Sequence, residues 1–370
     1  MVEKLIMLPG PTQVPERILK AMSRPMINHR GAEFEKLYAE VTEGLKYLFQ
    51  TQKSDVYPLT ASGTGGVECA ALNIVEKGDK VIVPTNGEFG ERLAESFEKA
   101  GADLVNPKFE LGTPIDPNTL EKTLESNKDT KMVAFVYNET ACGIRNPAEE
   151  LVKTAKEHEV LVIVDAISNL GGDALLMDEW GVDAVVTGSQ KCLACPPGLS
   201  FISLSESCWN KVDNKKEKET VYFDLAKIKE FHKKNETPFT PAVPLFYALQ
   251  EALKMLKEEG IEKRIRRHAD CAKSMREGLK SIGFKLFPKD EKYASNTVTA
   301  SYALPSVPVA DMIKKLLDDT GIVIAGGMGE TKGKIFRVGT MGTVTQNEVN
   351  LTLNGIRSVL AKAGAKPKKP

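Results

Sequence analysis

Cysteine is scarce in this sequence, and its six cysteines are scattered over 370 residues. This low density excludes the disulfide-stabilised scaffold of a small secreted domain, so we expect reduced thiols. Two of them, Cys192 and Cys195, form a C-x-x-C pair of the kind seen in zinc and redox sites. A four-thiolate zinc site needs a second such pair, which the sequence lacks. The sequence therefore predicts neither disulfides nor a bound metal.

Long apolar runs and an excess of charge of either sign are also absent. No segment approaches the roughly 18 apolar residues of a membrane span, and the N-terminal MVEKLIMLPGP is too weakly apolar for a signal peptide. Fifty basic residues balance fifty acidic ones, so no net field attracts nucleic acid or an anionic membrane. We expect a cytoplasmic protein without nucleic-acid or membrane partners. The small, basic C-terminal sequence AKAGAKPKKP predicts a frayed end.

Short apolar runs alternate with amphipathic stretches from about residue 55 to about residue 210. This alternation is typical of βα units and predicts an α/β fold with a mainly parallel sheet. The stretches 91–102 and 147–159 show helical spacing with acidic residues early. The predicted strands are 80–84, 132–137, 160–166, 183–188 and 199–204.

The pattern changes after residue 210. The proline-rich segment 237–244 predicts an ordered loop, and a helix is expected over 245–260. Farther on, alternating strands and one helix predict a smaller α+β domain. The expected division of the chain is an extended N-terminal arm at 1–19, a large domain at 20–258 and a small C-terminal domain at 259–370.

A glycine-rich turn follows a probable strand in PLTASGTGGVECAALNIV. Here Ser62, Gly63 and Thr64 open a probable helix, which directs free backbone amides and hydroxyls toward an anion. The turn lacks the lysine of a Walker loop and the spaced glycines of a dinucleotide fingerprint. A single phosphate monoester fits it better than a nucleotide, and a plain tight turn is the alternative.

Two charged residues lie at the ends of predicted strands, where water is scarce. Asp165 ends the most apolar strand. It has either a structural role, as a helix cap or in an interior ion pair, or it faces the protonated ring nitrogen of a pyridine cofactor. Lys191 lies just beyond the strand at 183–188, where desolvation lowers the pKa of an amine and leaves it able to attack an aldehyde. The alternative is a lysine whose ammonium group extends to an acidic neighbour.

Several motifs occur together and in order. VDAISNLGG and TGSQKCLACPPG are accompanied by PGPTQVP, SGTG, NGEFGER, NETACG, TPFTPAVPLFYAL and GKIFRVGTMG. Over nearly the whole chain they resemble class V of the fold-type I pyridoxal-phosphate enzymes, in the branch of alanine–glyoxylate, serine–pyruvate and archaeal aspartate aminotransferases. The resemblance implies a large domain with a mainly parallel seven-stranded sheet and a smaller α+β C-terminal domain.

The resemblance implies pyridoxal 5′-phosphate as the cofactor and assigns residues around its ring. Lys191 would attach the cofactor and later move a proton between it and the substrate α-carbon. Asp165 would pair with the ring nitrogen. Phe89 would stack on one face of the ring and Ile167 would pack on the other, with the hydroxyl of Thr140 beside it. Without the resemblance, Phe89 is better interpreted as an ordinary core residue.

The cofactor phosphate is implied to bind to Ser62, Gly63, Thr64 and Gln190 of one subunit. Thr237 and Thr240 are implied to reach the same phosphate from a second subunit, which requires a homodimer with shared active sites. The family often has a tyrosine where Thr237 stands, so this sequence departs from the pattern there.

The substrates implied are an amino acid and a 2-oxo acid. Arg337 would bind the substrate α-carboxylate, a bidentate task suited to a guanidinium group, and Gly10 would line the substrate site. Without the family, Arg337 is equally well interpreted as a surface residue. A second carboxylate needs a second cation, for which Arg30 is the candidate and an exposed arginine at a helix start is the alternative.

The leading hypothesis is therefore transamination between a small amino acid, alanine or serine, and glyoxylate or pyruvate. The alternatives are an aspartate/2-oxoglutarate-type aminotransferase, a cysteine desulfurase or lyase, and a non-catalytic protein that retains the fold. Desulfurases of this class usually have a reactive cysteine on a mobile loop and a histidine over the ring. Here Cys271 lies in a helical pattern and Phe89 holds the ring position, so both features favour transamination.

Overall fold

The computed structural model describes residues 4–217 and 219–364. Residues 1–3 of the predicted arm, residue 218 and most of the predicted frayed end, from 365 onward, lie outside the described residues.

The described strands are β1 Leu5–Ile6, β2 Val56–Leu59, β3 Lys80–Ile82, β4 Asp103–Val105, β5 Met132–Val136, β6 Asn138–Glu139, β7 Ile144–Arg145, β8 Leu161–Asp165, β9 Ala184–Gly188, β10 Ser200–Leu204, β11 Val298–Tyr302, β12 Ile322–Val323, β13 Ala325–Gly326 and β14 Ile335–Gly339. The described helices are α1 Glu16–Met22, α2 Ala32–Phe49, α3 Gly63–Ile74, α4 Glu88–Lys99, α5 Pro117–Ser126, α6 Ala148–Glu157, α7 Met177–Trp180, α8 Glu206–Asn214, α9 Leu225–His232, α10 Val243–Glu259, α11 Ile261–Ile282, α12 Val309–Thr320 and α13 Gln346–Lys362.

The central sheet has seven strands in the order β2-β10-β9-β8-β5-β3-β4. All of its neighbouring pairs are parallel except the two that β10 makes, so β10 alone runs against the other six. The five strands predicted from the sequence are confirmed as β3, β5, β8, β9 and β10, and the predicted α/β class with a mainly parallel seven-stranded sheet is confirmed. The carboxyl ends of six strands therefore meet along one edge.

Both faces of this sheet are covered by helices, which explains why its strands are apolar throughout. Side chains of β5 alternate between the faces. Val133 and Phe135 pack in a core with α2, α5, α6 and α10, while Met132, Ala134 and Val136 pack in a second core with α3, α4, α8 and α9. These two cores hold the strand ends in place.

A smaller antiparallel sheet, in the order β11-β14-β13, packs with α11, α12 and α13 around a third core. The sequence predicted one helix after α11, and this was wrong because the structure has two, α12 and α13. Gly260, with a φ of 84°, separates α10 from α11. The domain boundary at residue 259 stays a prediction.

Two other boundaries differ from expectation. Helix α1 begins at Glu16, so the extended part of the N-terminal arm ends before residue 19. Helix α10 begins at Val243, inside the predicted loop, because Pro244 lies in the first turn, where a missing N–H costs no helical hydrogen bond. No helix among the described residues is long and apolar enough to cross a membrane.

The N-terminal segment lies between the small sheet and the carboxyl edge of the large one. The N–H of Met7 donates to Val323 O (2.8 Å), and the carbonyl of Met7 accepts from Gly339 N (2.8 Å). A Cβ on Gly339 would overlap the backbone of Leu8, so glycine is what allows this close approach. The segment from 7 to 12 is thereby held beside Lys191.

Candidate active site

One cavity of about 120 Å³ opens at the carboxyl edge of the central sheet. It receives residues from the segments after β2, β3, β8 and β9. Its lining is Ser62, Gly63, Thr64, Val67, Phe89, Arg92, Leu93, Asp165, Ile167, Gln190 and Lys191. Eight of the residues predicted for the site therefore lie around a single cavity.

The start of helix α3 forms one wall of the cavity. Ser62 caps this helix by accepting the N–H of Gly65 (3.3 Å), and the N–H groups of Gly63 and Thr64, which precede Gly65, have no partner within the helix. A Cβ on Gly63 would lie 2.8 Å from Ile167 Cδ1, so a larger residue there would force the Ile167 side chain to shift. Opposite, Gln190 Oε1 is buried and has no hydrogen-bond partner among residues 4–217 and 219–364. This wall is built to hold an anion.

Asp165 ends β8 as a buried carboxylate, only 8% exposed. It accepts the N–H of Ile167 (2.9 Å), and no cationic nitrogen of the described chain lies within ion-pair distance of it. Burial raises the pKa of Asp165 to about 6, while the Ile167 hydrogen bond and the charges of Lys191 and Arg92 oppose the rise. A protonated ligand nitrogen would satisfy this carboxylate.

Lys191, also 8% exposed, follows β9 and is enclosed by the N-terminal segment. Its Nζ donates to Pro9 O (2.5 Å), and a Cβ on Gly10 would lie 2.6 Å from that nitrogen. Burial, together with the charges of Arg337 and Arg92, lowers the pKa of Lys191 to about 8, whereas Cys192 and Asp165 oppose this shift. A neutral amine is therefore available near pH 8 for nucleophilic attack or proton transfer.

Arg337 lies on β14 and is buried beside the segment after β5. Its Nε donates to Gly326 O (2.9 Å) and its Nη1 to Thr140 O (3.1 Å), which orients the guanidinium group. The hydroxyl of Thr140 in turn donates to Ser168 Oγ (2.8 Å). Burial lowers the pKa of Arg337, and the charge of Glu139 opposes this effect. An oriented, buried guanidinium group of this kind suits a carboxylate ligand.

The remaining predicted residues lie elsewhere within one chain. Thr237 and Thr240 line a different cavity with Thr60 and Tyr222. The Nη1 of Arg30 pairs with Glu236 (3.0 Å) and donates to Thr237 O (2.5 Å), just before helix α2. None of the three lines the cavity at Lys191, and neither do Arg337, Thr140 and Gly10, so the roles predicted for all six stay predictions.

Two residues of the site were missed in the sequence. Arg92 lines the cavity, and its guanidinium carbon lies 5.0 Å from the ring centre of Phe89. Its spacing of three residues from Phe89 on a helix was the available signal. Glu139 is fully buried behind the cavity. The sequence feature that could have indicated it is the one that indicated Asp165, an acidic residue that closely follows an apolar run.

The six cysteines are free and buried. Burial raises the pKa of Cys192 to about 12, so its thiol stays protonated near neutral pH. Across the described parts of the chain, no group of three or more histidine, cysteine, aspartate or glutamate side chains could hold a metal ion.

Comparison with known proteins gives consistent matches over the whole chain. The profile of the class V aminotransferase family matches residues 7–350. The chain is 40% identical to an uncharacterized aminotransferase of Methanocaldococcus jannaschii, over 98% of this chain and 94% of that one. It is 32% identical to the serine–glyoxylate aminotransferase of Methylorubrum extorquens, over 98% and 92%. The crystal structure of ureidoglycine–glyoxylate aminotransferase from Bacillus subtilis is similar, with a TM-score of 0.93 and 31% identity, over 100% and 95%.

The charges around Lys191 predict how its pKa responds to substitution. In the ligand-free protein we expect the amine to titrate near pH 8. Asp165→Asn removes an anion that favours the ammonium form and so lowers the pKa, whereas Arg92→Gln removes a cation and raises it. NMR titration of ¹³C-labelled lysine side chains measures both shifts, with Lys191→Ala identifying the signal. Shifts of the same sign in the two variants would contradict this electrostatic account.

Proposed function

Because the chain belongs to the class V aminotransferase family, we propose that it transfers an amino group from alanine or serine to glyoxylate or pyruvate, with pyridoxal 5′-phosphate as cofactor. The observation that carries this proposal is the single cavity that joins a buried amine, a buried carboxylate and an anion-binding helix start. Its relative in Methylorubrum extorquens is a serine–glyoxylate aminotransferase, which supports the substrate class.

The cavity residues fit the cofactor. The free first-turn N–H groups of α3 offer hydrogen-bond donors to a phosphate, and Gln190 also lines the cavity. The carboxylate of Asp165 offers a partner to a protonated ring nitrogen. Phe89 and Ile167 supply apolar contacts for a flat ring, and Lys191 supplies the amine for covalent attachment. When bound, pyridoxal phosphate serves as an electron sink for the substrate α-carbon.

Each residue has a distinct task in the proposed reaction. Arg337 binds the substrate α-carboxylate and so orients the α-carbon. The Nζ of Lys191 accepts the α-proton and later returns a proton, which its lowered pKa allows near neutral pH. Asp165 keeps the ring nitrogen protonated. Phe89 and Ile167 exclude water from the reacting atoms.

The function is tested with a panel of amino donors against glyoxylate, pyruvate, oxaloacetate and 2-oxoglutarate. We expect wild-type protein to be yellow with the cofactor and to use alanine or serine with glyoxylate or pyruvate. Lys191→Ala should stay folded but lose activity by at least about a thousandfold, because Lys191 supplies the amine that lines the cavity. Circular dichroism checks folding. Near-normal turnover in Lys191→Ala would refute the central role of this residue.

An aspartate-type reaction is the second candidate, and Arg92 is the observation that favours it. It lines the cavity and makes no ion pair within the described chain, whereas Arg30 already pairs with Glu236. A second substrate carboxylate could therefore pair with Arg92, the arginine among the residues that line the cavity.

This alternative predicts an effect on selectivity. We expect wild type to prefer alanine or serine to aspartate, and Arg92→Gln to lower the ratio of kcat/KM for aspartate to that for alanine by about tenfold. Arg30→Ala is the matched control and should leave the ratio unchanged. A ratio that falls only in Arg30→Ala would instead identify Arg30 as the residue that binds the second carboxylate.

A homodimer with shared sites is part of the proposal, as is a cytoplasmic location. Thr240 is exposed in the isolated chain, and six large apolar side chains of the described residues are exposed as well, among them Leu19 (51%), Met26 (66%) and Val221 (75%). Exposed apolar groups of this size suit an interface with a second copy. Six free cysteines suit a reducing compartment.

Shared sites predict complementation between two inactive variants. A Lys191→Ala subunit mixed with a Thr240→Ala subunit forms heterodimers that contain one intact site. Random exchange should restore about a quarter of wild-type activity, since half of the dimers are mixed and each has one working site of two. Activity is measured after subunit exchange, with mass spectrometry to count heterodimers. Absence of rescue in proven heterodimers would refute sharing.

A further inference from the structure

A fully buried carboxylate, Glu139, lies behind the candidate active site without lining its cavity. It belongs to the short strand β6, just after β5. Its Oε2 accepts the N–H groups of Phe89 (3.1 Å) and Gly90 (2.9 Å), and its Oε1 accepts the N–H of Ala141 (2.9 Å). One side chain thus joins helix α4 to the segment that follows β5.

The contact with helix α4 determines where Phe89 lies. Helix α4 begins after Gly87, which has no side chain to cap it, and Glu139 supplies that cap from another part of the chain. A Cβ on Gly87 would lie 2.5 Å from Cγ and Cδ of Glu139, so the glycine is needed for this close approach. Phe89, whose ring lines the cavity, is held through its own amide.

The second carboxylate oxygen of Glu139, Oε1, determines where the peptide group between Thr140 and Ala141 lies. Glu139 accepts the N–H of Ala141, and the residue between them, Thr140, provides the carbonyl that accepts Nη1 of Arg337. Glu139 makes no ion pair with Arg337 within the described chain. The two residues are therefore connected through the backbone of Thr140, by hydrogen bonds that have a defined direction. Burial raises the pKa of Glu139 to about 7, and its three N–H partners oppose that rise.

We propose that Glu139 is a positioning residue that sets the placement of both Phe89 and Arg337. The inference rests on the proposed function, which assigns the cofactor ring to Phe89 and the substrate carboxylate to Arg337. Glu139 itself contacts neither ligand. It couples the ring-binding side of the site to the carboxylate-binding side, so that both move together when it is altered.

Glu139→Gln tests this role with little change in volume. The amide nitrogen of glutamine is a donor that faces backbone donors, so at least one of the three N–H groups loses its acceptor. We expect KM for the amino donor to rise by about tenfold, together with a changed visible circular dichroism of bound pyridoxal phosphate. In the full-length protein without cofactor, amide exchange over residues 86–92 should become faster.

Asp183→Asn is the matched control. Asp183 is also buried and accepts a backbone N–H, from Val162 (2.8 Å), but it lies at the opposite end of the sheet, before β9. We expect this variant to lose thermal stability without a change in KM, in the visible circular dichroism or in exchange over 86–92. If Glu139→Gln shows only a stability loss of this kind, its role is structural and the inference is overturned.

A double variant separates placement from charge. If Glu139 acts through Arg337, then Glu139→Gln adds little to the raised KM of Arg337→Lys. If its negative charge merely weakens Arg337, then Glu139→Gln lowers KM, which also overturns the inference. A wild-type protein without aminotransferase activity would refute the proposed function. Unchanged amide exchange over residues 86–92 in Glu139→Gln would refute only the inference that Glu139 positions Phe89.

Discussion

The burial of charged side chains at the carboxyl edge of the central sheet is the constraint on which the site depends. Burial removes four charged side chains from water, those of Asp165, Lys191, Glu139 and Arg337. It shifts the pKa of each group in the direction that favours the neutral form. These groups remain useful because each has hydrogen bonds or a nearby charge that partly offsets desolvation. A ligand with a cationic nitrogen and an anionic group completes the balance.

Close backbone approach is the second requirement, and glycine meets it. Gly63 packs against Ile167, Gly87 against Glu139, and Gly10 against the amine of Lys191. At each position a Cβ would overlap a neighbour that belongs to the site. Gly10 also has a φ of 105°, which favours glycine for conformational reasons. The N-terminal segment approaches Lys191 this closely because Gly10 has no side chain, so the amine is enclosed by a part of the chain far away in sequence.

The positions of two arginines also bear on which substrates the proposed reaction would favour. Arg337 gives one oriented guanidinium group, and Arg92 adds a second cation against the ring of Phe89. The two arginines differ in burial, since Arg337 is enclosed while Arg92 is exposed. A desolvated arginine binds a carboxylate more strongly than an exposed one, which water and salt screen. In the proposed reaction, selectivity for small substrates and tolerance of larger acids would therefore depend on different residues.

The sequence by itself determined the five predicted strands, the α/β class and the residues at the strand ends, because apolar runs and turn signals are local patterns. It also placed Lys191, Asp165 and the glycine-rich turn on one edge. Only the tertiary structure decided that β10 runs against its neighbours, that Pro9 and Gly10 enclose Lys191, and that Glu139 caps helix α4. The contacts of Glu139 with helix α4 and of Lys191 with Pro9 join residues 49 to 182 positions apart. Their partners are backbone atoms, which every residue carries and no sequence pattern marks.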